Sequence, residues 1–239
     1  MIGSLINAGC ILLAGVAVWA RVPAIPLAAQ RRLQALVAIL TMGLGFHVVW
    51  QSLHGSFGQV VRQLLILAVA VVLGRLTGQG LGVQARLNRL GQFARERLMG
   101  APAAGPRRFG DVFAAATVVF CLTPLAVVGP LLEGLRGDVR ALLVKSAVDG
   151  LATLGLARSC GWPVILGAVP VLSLQGSLGL LALGWREWFA LPDVADALGA
   201  TGGFLLVAVA MVMLQVLRIR LADYLPAVVW AALLAWLVG

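Results

Sequence analysis

Charge is what this chain has least of. Only 11% of its 239 residues are Asp, Glu, Lys or Arg, against about 25% in an ordinary soluble domain. Nine carboxylates cannot dress the surface of a soluble protein this size, which excludes that class. Cysteine is scarce as well: Cys10, Cys121 and Cys160 are scattered and odd in number, so neither a disulfide framework nor a zinc site is expected. His47 and His54 are the only histidines, too few for a metal centre. No HExxH, no GxSxG and no closely spaced carboxylate pair in a loop is present, so neither an enzyme nor a cofactor is expected. Gly78-Gln79-Gly80-Leu81-Gly82 follows no strand and lacks the full dinucleotide fingerprint. No Arg or Lys precedes Arg21, so residues 4–20 read as a retained transmembrane helix rather than a secretory signal.

Apolar sequence is what remains. Hydrophobic residues make up 61% of the chain and the mean hydropathy is +1.01. A span takes about 20 apolar residues. On that rule the fold class is all-α: a polytopic transmembrane bundle of about eight spans, at 4–20, 33–53, 59–74, 112–130, 140–157, 163–184, 198–217 and 222–238. The whole of 1–239 reads as one integral membrane domain, because no long polar linker divides it. The net charge of +9 would suggest nucleic acid in a soluble protein; here it matches the arginine bias of cytoplasmic loops, and no nucleic acid is expected. With both termini periplasmic, thirteen arginines fall inside and only Arg62, Arg136, Arg140 and Arg186 outside. Glu133, Asp138, Glu187, Asp193 and Asp196 join those four outside. Trp50, Trp185, Trp188 and Trp236 mark outer ends, and Trp19, Trp162 and Tyr224 inner ends; Trp230 is the exception, near mid-span. Residues 78–109 form the one substantial cytoplasmic loop. In it Leu87, Leu90, Phe93 and Leu98 share a helical face and arginines occupy the rest, as in a helix lying on an anionic leaflet. Residues 100–109 read as linker.

The stretch from Asp111 to Ser177 concentrates what is costly in lipid. Pro124, Gly129 and Pro130 interrupt its first apolar run, and Pro170, Gln175 and Gly176 its third, so the central helices are expected to be broken. Lys145 and Asp149 stand at i and i+4, where they share a helical face and can pair. Each alone costs roughly 2.5–3.5 kcal/mol at mid-bilayer. The pair is read equally as a salt bridge that fixes packing and as a substrate site or gate. Asn7, Cys121, Ser146, Gln175 and Ser177 are uncharged candidates for the same midplane site, each also readable as an interhelical hydrogen bond. Gly199 and Gly203 form a small-xxx-small pair suited to helix packing, and His47 reads as a packing histidine. Residues 2–20, 33–53 and 59–74 and residues 163–184, 198–217 and 222–238 make two triplets of opposite sense, an inverted repeat. Asn7-Ala8 aligns with Gly167-Ala168, and Leu64 through Gly74 with Leu225 through Ala235.

Phe120-Cys121, Val127-Val128-Gly129, Glu133-Gly134-Leu135 and Gly137-Asp138 carry a family resemblance. So do Lys145-Ser146, Asp149-Gly150, Pro170, Gln175-Gly176-Ser177, the opening Met1-Ile2-Gly3 with Asn7-Ala8, and Arg86-Leu87-x-Arg89-Leu90-Gly91. Across nearly its whole length the chain resembles the bacterial membrane family of unknown function 554, the YqgA/YdfK-like proteins. Thr123-Pro124 departs from the Gly-Ala-Met-like run expected there, which alters the bend of the fourth span, and His47 is also foreign to the pattern. The resemblance implies a bacterial inner-membrane protein and brings no substrate or functional residues with it. Taken together, the expectation is a small secondary transporter or channel for an unidentified solute or ion; the alternative is a non-transporting scaffold whose basic loop meets lipid or a partner. Membrane lipid, a small solute or ion, and a second copy of the chain are the expected partners.

The arginine distribution makes a direct prediction. A single cysteine at Gln92→Cys, with the three native cysteines replaced, is labelled by an impermeant maleimide only after cells are opened. Labelling of intact cells would reverse the topology.

Overall fold

Without water in the bilayer core, each backbone N–H and C=O of a span must be paired within it, and a helix does this locally. The computed structural model describes residues 1–21, 23, 25–100, 106–123, 125–187 and 191–238. It is 86% helical, with no strand among the described residues. The helices are α1 (Ile2–Trp19), α2 (Leu27–Ser52), α3 (Phe57–Gly80), α4 (Val83–Gly100), α5 (Pro106–Cys121), α6 (Leu125–Arg136), α7 (Arg140–Cys160), α8 (Ala168–Gly184), α9 (Pro192–Met213) and α10 (Ala227–Val238). Short 3-10 segments, Trp162–Gly167 and Leu221–Tyr224, lead into α8 and α10.

Among the described residues six stretches are long and apolar enough to span, namely α1, α2, α3, α9, and α8 and α10 with their 3-10 leads. A seventh forms if α5 and α6, bent by 55° at their junction, count as one. The fifth run expected from the sequence, 140–157, folds as α7, but Arg140, Lys145, Asp149 and Arg158 make it too polar to qualify by composition. Pro124 lies outside the described residues, as does Trp188. Gln175 and Gly176 do not break a helix: α8 runs unbroken through both. The discontinuity lies earlier, at the 3-10 segment. Pro170 falls in the first turn of α8, where a missing N–H costs little. Helix α5 begins at Pro106, inside the stretch read as linker; residues 101–105 are outside the described residues.

Local signals set several ends. Ser56 and Gln59 form a reciprocal capping box at the start of α3. Helix α6 closes on Gly137 at φ +71, with Gly137 N–H donating to Glu133 O and Asp138 N–H to Leu132 O. The Asp138 carboxylate then accepts from Arg140 N–H at 3.0 Å and opens α7. Two residues thus reverse the chain between α6 and α7.

Helices pack through small residues, as they must where lipid is as apolar as leucine. α2 and α9 run antiparallel. A Cβ on Gly45 would meet Gly203 O at 2.7 Å and Val207, and one on Gly203 would meet Gly45 O at 2.7 Å and Val49. α3 and α10 are also antiparallel, Gly74 against Ala227 and Gly78 against Asp223 at the head of the 3-10 segment. α1 runs antiparallel to α8 and its lead, with Gly15 against Ile165 and Met1 against Gly176. α1 is parallel to α7, Gly3 meeting Leu142 and Gly150 meeting Cys10. α6 is parallel to α8, with Gly134 against Gly179 and Ala182.

Helix α4 does not lie apart on a surface. It folds back antiparallel on α5, Ala94 buried, Leu98 packed in the α1/α5/α8 core and Arg97 paired with Asp111 at 2.5 Å. Its Leu90 and Phe93 remain exposed. Trp19, Trp50, Trp162, Trp185 and Trp236 are exposed, as an interfacial girdle requires. Trp230, the mid-span exception, is explained by its indole N–H donating to Thr77 Oγ1 at 3.3 Å. His47 is exposed rather than packed.

The α2/α9 contact is testable. Gly203→Ala forces the two backbones apart and lowers stability by about 1–3 kcal/mol, as overpacking does. Gly43→Ala on α2, where a Cβ meets nothing within 4 Å, is neutral or stabilising. Equal melting temperatures for the two variants in detergent would remove the close contact.

Candidate functional site

Helix α7 supplies the two charges. Four residues apart, Lys145 and Asp149 face the same way, and Lys145 Nζ lies 2.5 Å from Asp149 Oδ2. The same ammonium donates to the carbonyl of Phe120 at 2.8 Å. Phe120 sits in the last turn of α5, whose carbonyls have no helical partner, and the residue four further on is Pro124, which has no N–H to offer. The ammonium therefore meets both a carboxylate and the negative end of a helix.

Helix α1 closes the other side. Asn7 Nδ2 donates to Asp149 Oδ2 at 3.0 Å and to Gln175 Oε1 of α8 at 3.2 Å. Four helices thus meet at one network. Its residues are almost fully desolvated: Asn7 0%, Lys145 1%, Asp149 2% and Gln175 0% exposed. Asp149 can only accept, so it fixes which end of the Asn7 amide points to it, and Asn7 in turn fixes Gln175. That ordering leaves Asn7 Oδ1, an acceptor, and Gln175 Nε2, a donor, buried without partners. Ser4 Oγ, one turn before Asn7, is also unpartnered. Such groups are costly in an apolar interior, so these three atoms mark where a polar guest would gain most.

Of the sequence candidates, Asn7, Lys145, Asp149 and Gln175 come together. The others form no hydrogen bond with them, although Cys121 lies near Lys145 and Asp149. Ser146 Oγ donates to Leu142 O at 2.7 Å within its own helix, and Ser177 Oγ to Leu174 O at 3.0 Å on an exposed face. Cys121 is half-buried at the end of α5, against the apolar core of α1, α5 and α8. A cavity of ≈ 500 Å³ opens between α2, α7 and α9, lined on α7 by Val148, Leu151, Ala152, Gly155 and Leu156, and none of the four network residues lines it.

Glu133, expected outside the membrane, is buried in α6 at 6% exposure. Its Oε1 accepts from Gly3 N–H at 2.8 Å and lies 2.7 Å from the Met1 amino group, while Oε2 has no partner. Helix α6 reaches Arg136 because Gly137, not Pro130, ends it, and this carries Glu133 inward. Thr153 also escaped notice; its Oγ1 donates to Asp149 O at 2.7 Å. At the same end of α6, Arg136 Nη1 donates to Ser52 Oγ at 2.9 Å through the space Gly199 leaves open.

Comparison with known proteins agrees with this architecture. Residues 2–236 match the family model described as "Protein of unknown function (DUF554)", and the chain belongs to that family. It is 24% identical over 198 residues to the uncharacterized membrane protein YdfK of Bacillus subtilis (strain 168), covering 82% of this chain and 79% of that protein. It is 26% identical over 242 residues to the uncharacterized protein YqgA of Escherichia coli (strain K12), covering 97% of this chain and 94% of that protein. No solved structure matches. The chain is a membrane protein of a family of unknown function.

The network predicts a double-mutant signature. Lys145→Met alone strands a buried carboxylate, and Asp149→Leu alone strands a buried ammonium; each costs about 3–5 kcal/mol. Lys145→Met with Asp149→Leu recovers most of the loss, since neither charge is then left unpaired. Unfolding in micelles measures it. Single variants as stable as the parent would show the pair to be hydrated.

Proposed function

We propose that the protein is a small secondary transporter of the bacterial inner membrane. Its site for a small polar solute or ion is formed by Asn7, Lys145, Asp149 and Gln175, and its two triplets of spans form an inverted repeat with both termini periplasmic. The single observation that carries the reading is the desolvated Lys145–Asp149–Asn7–Gln175 network with unpartnered polar atoms on two of its members. Intramembrane ionisable groups default to a functional role, and transporters of inverted-repeat design place their sites at interrupted helices near the repeat interface.

Packing supports the repeat. Each helix of the first triplet lies antiparallel against its counterpart, α1 on α8, α2 on α9 and α3 on α10. At α2/α9 the contacts are reciprocal: Gly45 meets Val207 while Gly203 meets Val49, within Gly45-Phe46-His47-Val48-Val49 and Gly203-Phe204-Leu205-Leu206-Val207. Reciprocity of this kind is what a two-fold axis generates. The observed directions also agree with eight alternating crossings. In that scheme α1 and α7 share one sense, α6 and α8 the other, and α7, about 31 Å long at 1.5 Å per residue, crosses beside α1. The α5/α6 interruption supplies the Phe120 carbonyl to the network, while the one ahead of α8 lies about two turns before Gln175. Closed burial of the charge pair favours alternating access over an open pore.

The same burial feeds the competing reading, a membrane scaffold in which the pair only fixes helix packing. A test that needs no substrate separates them. In a background without native cysteines, Gln175→Cys is treated in membranes with a small hydrophilic thiol reagent. Alternating access exposes position 175 to water in part of the cycle, so the thiol is modified over minutes. Complete protection from both sides, with full modification in denaturant, would favour the scaffold.

A further inference from the structure

A guanidinium at a bilayer boundary is stable in one of two ways: fully hydrated, or paired. Among the described residues three other arginines of this chain are paired, Arg62 with Asp193, Arg97 with Asp111 and Arg140 with Asp138. Arg75, Arg218 and Arg220 enter no ion pair among the described residues, yet they gather around one cavity of ≈ 250 Å³. Arg75 and Gln79 reach it from the last turns of α3, and Arg218, Arg220 and Tyr224 from the connection between α9 and α10. The one acid in the lining is Asp223, and it is engaged elsewhere. Buried at 2% exposure, it accepts the backbone N–H of Gln84 through Oδ1 at 3.0 Å and caps the start of α4. Gln84 Oε1 answers by accepting from Ala222 N–H at 3.1 Å. The connection is thereby held in place, and three like charges are held around a single carboxylate that forms no ion pair with them, so the lining keeps a net positive charge.

The surface leading to the cavity is apolar. Leu65, Val69, Val72 and Leu76 repeat at four-, three- and four-residue intervals, so they form one stripe along α3, and all four are exposed. The stripe ends beside Arg75. A free anion would have no use for it, whereas an acyl chain would.

We propose that Arg75, Arg218 and Arg220, with Tyr224 and Gln79, form a binding site for the phosphate headgroup of an anionic phospholipid whose acyl chains lie along the Leu65–Leu76 face of α3. Basic pockets between transmembrane helices at the arginine-rich side of a bilayer take such headgroups. Arginine suits a phosphate because its planar fork donates two hydrogen bonds at once. The lipid would neutralise the cluster and brace the α9–α10 connection against α3 and α4. This site is independent of the transport reading, lying on other residues.

Thermal unfolding of the purified full-length chain in neutral detergent tests it, with phosphatidylglycerol, phosphatidylcholine or inorganic phosphate added. Phosphatidylglycerol raises the parent's melting temperature by about 5 °C or more when it exceeds its dissociation constant about a hundredfold. Phosphatidylcholine and inorganic phosphate leave it near its starting value. The Arg75→Gln/Arg218→Gln/Arg220→Gln variant melts like the parent without added lipid and loses the increment. Arg86→Gln/Arg89→Gln, on α4 outside the cavity, keeps it. An equal shift in parent and triple variant overturns the site. Loss of the shift in the α4 control points instead to diffuse surface charge and also overturns it. A full shift with inorganic phosphate alone shows an ion site and overturns the lipid assignment. Should the triple variant not purify folded, Arg220→Gln is read the same way, and a shift equal to the parent's overturns the site.

Discussion

The bundle depends on the bond between Lys145 and Asp149. Two charges at 1% and 2% exposure have lost their water, and neither is tolerable there without the other. Their attraction fixes more than one helix. The ammonium needs a second acceptor, and the end of α5 offers the Phe120 carbonyl. The carboxylate needs a second donor, and α1 offers Asn7. The break between α5 and α6 and the charge pair in α7 therefore account for each other. An unbroken helix would have consumed the Phe120 carbonyl internally, and an apolar residue at 145 would have left that carbonyl unsatisfied in a dry place. Both oddities of the central stretch are one feature.

Around this centre, closeness of approach does the remaining structural work. Lipid gives helices no hydrophobic reason to associate, so contact area and backbone proximity must supply it. Gly45 with Gly203, Gly78 with Asp223 and Gly134 with Gly179 bring helix backbones within reach of a neighbour's carbonyl. Gly199 serves a different end, making room for neighbouring side chains, Arg136 of α6 and Ser52 of α2, rather than for a neighbouring backbone. A small-xxx-small spacing such as Gly199/Gly203 can thus hold two distinct functions, packing at one position and side-chain passage at the other.

Most of the fold was legible because hydropathy is a property of each segment alone. All eight apolar runs became helices, and the amphipathic pattern at 86–98 became α4. The count of spans was less secure, since Lys145 and Asp149 make α7 polar by composition whatever its surroundings do to neutralise it. The four side chains of the network were legible too. The i, i+4 spacing of Lys145 and Asp149 dictates a shared face, and Asn7 and Gln175 stood out as amides in apolar runs. Ser146 and Ser177 stood out for the same reason but are satisfied by carbonyls of their own helix, a partner every helical serine has at hand and no sequence pattern reveals. The Phe120 carbonyl was invisible because every residue has one. The burial of Glu133 was not legible because it depends on where α6 ends, and Gly137 with Asp138 decides that three-dimensionally.

The strengths of the bonds in the network suggest where an alternating-access cycle would open. Asn7 is tied to Asp149 by a hydrogen bond to a charged group, and α1 runs parallel to α7 over several turns. Those two helices behave as a unit. α6 and α8 form a second parallel pair, joined through Gly134 and Gly179. Between the units, within the network, lies the neutral Asn7–Gln175 bond at 3.2 Å, a type worth only about 0.6 kcal/mol between helices. The weak bond thus falls on the α1/α8 seam, where the two halves of the proposed repeat meet. The unpartnered Asn7 Oδ1 and Gln175 Nε2 flank the same seam. A guest that accepts from Gln175 and donates to Asn7 would replace one neutral bond with two, so its entry would part α1 from α8 without breaking the Asn7–Asp149 bond that ties α1 to α7.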